Sequence, residues 1–196
     1  MAPQLRFALH PLWPRVPPLG VGRNMDAREL AALFLRSVEA LVGNTDGKWS
    51  FVHLKTSHGT ETRNGFLDAC SELFVPFIGQ PKPVIYEAVR DALRRRGDHW
   101  AVQRYGGMVL LNLVPDAYGQ VDELLDIVAP VFDVSNGEIP AFLVEQVGLE
   151  PVLRNIEERK KVTKDPEILS RLGGLAYQAQ VYHNRKTRKI GWHEGT

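Results

Sequence analysis

Arg104-Tyr105-Gly106-Gly107-Met108 and Arg171-Leu172-Gly173-Gly174-Leu175 are one five-residue pattern written twice, at an offset of 171 − 104 = 67 residues. The same offset lays Asp98 on Asp165 and Val114 on Val181. Ahead of each copy stands a basic stretch, Arg94-Arg95-Arg96 in the first and Lys160-Lys161 in the second. Further upstream, Pro83-Val84-Ile85 and Pro151-Val152-Leu153 match one residue out of register, as a change of loop length allows. Glycine inside a helix costs about 1 kcal/mol against alanine. Its use is to let a neighbouring helix come close, as stacked helical hairpins require. A helix–turn–helix unit is therefore expected twice, with an inserted helix between the copies.

Working outward, nearly every segment has helical spacing. Asp26 followed by Glu29 is a helix-start signature, and Leu30, Leu33, Phe34, Val38 and Leu41 follow before Gly43-Asn44 stops the run. Trp49, Phe51 and His53 alternate with Ser50, Val52 and Leu54, which allows one short strand. Helical spacing resumes at Phe66, Leu67, Cys70, Leu73 and Phe74, and Pro76 ends it. Further helices are predicted over 83–96, 121–132, 139–147, 149–159 and 165–182. Asp98 is the expected cap of another, which runs to Leu113 before Pro115. Eight or so helices with short connections indicate an all-α domain over residues 25–183.

Two segments flank that domain. Residues 1–24 carry Pro3, Pro11, Pro14, Pro17 and Pro18 and read as an extended arm, with Phe7 and Trp13 able to dock on a surface. Residues 184–196 form a basic tail with Arg185, Lys186, Arg188 and Lys189, ending near Trp192. Both bury too little to order by themselves, so protein partners are expected to hold them.

Here a resemblance can be named. Residues 139–153, with a short helix ending at Gly148 and then Leu149-Glu150-Pro151-Val152-Leu153, resemble the passage from first to second helix of an armadillo repeat. Val102 to Val114, ending Leu111-Asn112-Leu113, is similar to that family's third helix. The resemblance covers residues 83–114 and 138–182. It implies a right-handed armadillo/HEAT-like helical solenoid that binds other proteins. Two departures stand beside it. Such repeats run about 40–47 residues, short of the offset of 67. The asparagine that binds peptide backbone in these proteins is matched by Asn112, but its counterpart one offset on is Ala179.

Chemistry is sparse. The lone Cys70, in a helical pattern, reads as a buried apolar residue; it permits no intrachain disulfide and points to a reducing, intracellular and cytoplasmic setting. A mitochondrial location is the alternative, because Arg6, Arg15 and Arg23 precede the first acidic residue, Asp26. No apolar run reaches the roughly 18 residues of a membrane span. His53 and His58 stand five apart without a zinc pattern, and Asn44 to Lys48 reads as a turn rather than an ion-binding loop. No catalytic residue, cofactor or metal is expected. The reading is a protein-binding scaffold or adaptor, a structural subunit of a larger assembly, with Phe7, Trp13, Trp100, Asn112 and Trp192 as partner-binding residues. The alternative is a nucleic-acid-binding helical-repeat protein, since formal charge is nearly balanced at +1 but basic groups cluster. Arg94, Arg95, Arg96, Lys160 and Lys161 would form a stripe on stacked hairpins, continued by Arg185, Lys186, Arg188 and Lys189.

Overall fold

Residues 139–144, Ile-Pro-Ala-Phe-Leu-Val, are all buried, a run that leaves no polar side to face water. In the computed structural model they form the middle of a helix that other helices surround on several sides. The structure describes residues 25–42, 44–45, 48–49, 73–114 and 121–191. Among them are seven α-helices: α1 Ala27–Val42, α2 Lys82–Arg96, α3 Trp100–Leu113, α4 Val121–Val128, α5 Glu138–Val147, α6 Leu149–Val162 and α7 Pro166–Gly191. Short 3-10 turns occupy Val75–Phe77 and Ala129–Val131. The only strands among these residues are a two-residue antiparallel pair, Asn44–Thr45 with Lys48–Trp49. Among the described residues the chain is all-α apart from that pair. Most of the predicted strand and most of the helix around Cys70 lie outside the described residues, as do His53 and His58.

Neighbour relations define the arrangement. Helix α1 packs mainly on α2 and also touches α3; α3 packs on α5, and α5 on α7. On the other side α4 touches both α2 and α6. The antiparallel neighbours α2 with α3, and α6 with α7, also pack on each other. Helix α5 thus stands between the two helices carrying Arg-x-Gly-Gly, whose direct contact is slight at most. Two helices, α4 and α5, lie between the two helix–turn–helix copies in the chain. Helix α4 covers most of the segment, 121–132, where an inserted helix is expected.

The glycines act largely as expected. A methyl group on Gly107 would lie 2.6 Å from Glu138 Cβ and 2.8 Å from the Ile139 nitrogen, so α3 touches the α5 backbone there. On Gly174 it would meet Val134 at 3.1 Å. The matching arginines grip the same intervening segment. Arg104 pairs with Glu138 at 3.5 Å, while Arg171 donates to the Pro130 carbonyl and pairs with Glu167. Gln178 Nε2 adds a bond of 2.6 Å to the Val134 carbonyl.

One polar side chain locks the same region from within. Gln103 is fully buried, donating to the carbonyls of Gly97 (2.6 Å) and Val131 (2.7 Å) and accepting from the Asp133 amide at 3.0 Å. Asn136, also buried, donates to the Trp100 carbonyl at 3.0 Å. The Gly97 and Val131 carbonyls and the Asp133 amide lie outside the α-helices, and Gln103 supplies each with a partner.

Helix boundaries follow local chemistry. Asp26 accepts from the Glu29 amide at 2.8 Å, and Asp165 accepts from the Glu167 amide at 2.8 Å. At α3 the expected cap fails: His99 Nδ1, not Asp98, accepts from the Ala101 amide at 3.2 Å. Asp98 turns instead toward Arg96, at 4.0 Å. Helix α7 continues past the predicted end at Tyr182 through Gly191, because Asn184 to Lys189 contains neither glycine nor proline to stop it. The basic tail therefore begins as helix. Gly148 alone separates α5 from α6, at φ +85°, a conformation that side chains resist.

Two substitutions test this account. Gln103→Leu strands two carbonyls and an amide, and is expected to lower stability by about 2–4 kcal/mol. Gly107→Ala forces α3 off the α5 backbone, at about 1–3 kcal/mol. Urea denaturation followed by far-UV circular dichroism checks both. A loss below about 0.5 kcal/mol in either variant would contradict the packing described.

Candidate interaction surfaces

The residues singled out in the sequence fall into three groups. Phe7, Trp13 and Trp192 lie outside the described residues. Trp100 opens α3, and its ring is half-buried against the core, 5.8 Å from the His99 ring. It is a packing residue that stays partly accessible. Asn112 is exposed near the end of α3, but its amide donates to the Met108 carbonyl of the same helix at 2.7 Å. Its counterpart Ala179 is fully buried. One offset on from Asn112, then, no asparagine stands to continue a ladder of backbone ligands.

The basic residues are largely neutralised within the chain. Arg94 pairs with Glu123, which also pairs with Arg90. Arg95 pairs with Asp91, and Arg96 lies 4.0 Å from both Glu39 and Asp98. Lys160 pairs with Glu157 at 2.7 Å. Lys186 reaches Glu145 on α5 at 2.6 Å and 2.9 Å. Lys161 and Arg185 are exposed. The side chains of Arg188 and Lys189 are outside the described set. Arginines 94–96, with Leu93, Gly97, Asp98, Ile127 and Val131, also line a shallow open depression between α2 and α4. Carboxylates already hold those guanidinium groups, so the depression gives an incoming anion few uncommitted charges.

The ties between helices are mostly ionic at the surface and apolar beneath. Arg159 of α6 bridges to Asp126 of α4 at 2.8 Å and donates to the Asp122 carbonyl at 2.7 Å. Tyr182 and Lys186 of α7 both hydrogen-bond Glu145 of α5. Burial would raise the Glu145 pKa, but the hydrogen bonds from Lys186 and Tyr182, and the Lys186 charge, outweigh it and hold the carboxyl low. Burial, then the bond to Glu145 and its charge, push the Tyr182 hydroxyl up, so it stays a neutral donor. Exposed pairs of this kind contribute about 0–1 kcal/mol each and fix helix angle more than stability.

Sequence reasoning missed one surface feature. Tyr177 is 62% exposed in the middle of α7, while Leu172, Leu175 and Ala179 on the other side are buried. A helical wheel of that segment separates it from the buried set, so the signal was present in the spacing. Among the described residues, no three His, Cys, Asp or Glu side chains converge in a group that could hold a metal ion. No described helix is long and apolar enough to cross a membrane.

His99 gives this region a pH response. Burial first, then the Arg96 charge, lower its pKa below the ordinary 6.5, and only the neutral ring can accept the Ala101 amide proton through Nδ1. The unfolded chain takes up this proton at higher pH than the folded one. Stability from this group is therefore complete above about pH 6.5 and is lost as pH falls from there toward the folded value. The loss is expected to stay below about 1 kcal/mol, the worth of a cap. His99→Asn keeps a capping oxygen and removes this component. Denaturation midpoints of both proteins between about pH 5 and 8 check it; equal slopes would refute the assignment.

Comparison with protein-family models, curated proteins and solved structures finds no match to this chain.

Proposed function

We propose that this chain is a non-enzymatic protein-binding scaffold or adaptor, a structural subunit of a larger assembly, built as a right-handed armadillo/HEAT-like solenoid. The observation that carries the reading is the order of neighbours: α1, α3, α5 and α7 touch in sequence, and α2, α4 and α6 touch in sequence behind them. Two parallel rows of helices are what successive hairpins produce when each buries its apolar stripe on the next. The recurrence of Arg-x-Gly-Gly on α3 and α7, two pairs apart, agrees with such a register.

A row of this kind offers long faces rather than a deep pocket, and long faces suit other chains. The partners would be other protein subunits, meeting the α3–α5–α7 side near Asn112 and Trp100, with the terminal segments adding Phe7, Trp13 and Trp192. The setting we propose is intracellular, a reading the single cysteine supports. The nucleic-acid reading is weaker because Arg94, Arg95, Arg96, Lys160 and Lys186 each have a carboxylate neighbour.

Affinity capture of the tagged full chain, followed by mass spectrometry, is expected to return one or a few proteins at constant stoichiometry. Affinity for a labelled oligonucleotide is expected to be weak and nearly flat with salt. A surface making six to ten phosphate contacts would instead lose roughly 10³–10⁵-fold between about 50 and 200 mM. Such a steep loss, without a stoichiometric protein partner, would overturn the scaffold reading.

A further inference from the structure

Of the four glycines in the twice-written pattern, three are explained within the chain. Gly106 lies against Val89, Gly107 against the α5 backbone and Gly174 against Val134. Gly173 is not: a methyl group there would meet nothing within 4 Å. A bare helical glycine that no intrachain neighbour requires leaves a notch on the outside of α7. One turn on, Tyr177 projects from the same side, 62% exposed. The other large exposed apolar residues among those described, Ile78, Val134, Val147 and Val162, lie in turns or at the last residue of a helix. Tyr177 alone of these stands mid-helix, one turn from the notch that Gly173 leaves.

We propose that this face of α7 pairs with the same face of a second copy of this chain, antiparallel about a two-fold axis crossing near Leu175 and Ala176. A glycine and a tyrosine one turn apart are self-complementary under that symmetry. Tyr177 of each copy seats over Gly173 of the other, and a two-fold contact of this isologous kind closes on itself. The charges fit the same register. The N-terminal end of α7 carries Glu167, which pairs with Arg171 of its own helix through one oxygen yet leaves its side chain 71% exposed, and the other end carries exposed Arg185, which makes no ion pair among the described residues. They lie on the same flank of the helix, at nearly equal distances from the axis, so Arg185 of one copy faces Glu167 of the other. The antiparallel helix dipoles also oppose favourably. At a shallow crossing of about 20° the two helices stay within side-chain reach over these residues. One helix pair is a small interface, so the dimer is expected to be concentration-dependent.

Sedimentation equilibrium of the full chain from low to high micromolar is expected to show the mass rising toward twice that of the monomer. Gly173→Leu fills open space in the monomer, so it should fold with undiminished melting temperature, yet abolish the rise. Tyr177→Ala should weaken association at least tenfold. Glu167→Arg and Arg185→Glu should each weaken it, and the double variant should restore it. A mass that stays monomeric throughout, or a dimer that survives Gly173→Leu and Tyr177→Ala unchanged, overturns the proposal. Both outcomes concern self-association only and leave the scaffold reading to its own capture experiment.

Discussion

A helical run that is apolar on every side must be enclosed, and α5 contains such a run. Its buried run from Ile139 to Val144 can be hidden only by placing other elements around it, and α3, α4, α6 and α7 all touch it. Burying a side chain such as Phe142 or Leu143 is worth about 1.5–3 kcal/mol, so this short helix draws its neighbours together. Everything else serves that enclosure. Gly107 lets α3 close on its first turn, and Gly174 lets α7 close on the loop before it. Gln103 satisfies the loop backbone that enclosure would otherwise strand.

The energetics divide by depth. The interior is a continuous apolar cluster reaching from Leu30 and Phe34 of α1 through Leu110 and Ile139 to Leu175 and Ala179 of α7. Outside it, pairs such as Arg159 with Asp126 and Lys186 with Glu145 link helices remote in sequence. These exposed pairs add little free energy but discriminate among angles at which greasy faces could otherwise slide. The two buried amides lie between these regimes. Gln103 is worth more than a surface pair because its removal leaves backbone groups dry and unpaired.

Much of the fold was legible from residue spacing. Helix starts at Asp26 and Asp165, the stop at Gly148 and the close-packing role of Gly107 all follow from backbone chemistry local to a few residues. What spacing could not convey was tertiary. Whether Asp98 or His99 caps α3 depends on Arg96, which draws the carboxylate away. That α4 touches α2 and α6, remote from it in sequence, depends on which faces meet. The site was less legible than the fold. Asn112 and Trp100 were chosen as isolated residue types, yet one bonds to its own helix and the other packs inward. The basic residues looked available because a sequence hides the carboxylates that a fold brings beside them. Tyr177, by contrast, could be found once the buried side of α7 was known.

The junction at Gly148 has a mechanical consequence. With a single residue between two helices, no slack exists to absorb a twist, so α5 and α6 can change angle only through that residue's own two torsions. They behave as the arms of one stiff elbow. A load applied to the far end of α6, at Lys160 or Val162, is therefore delivered as torque to the most deeply enclosed helix of the molecule rather than dissipated in a loop.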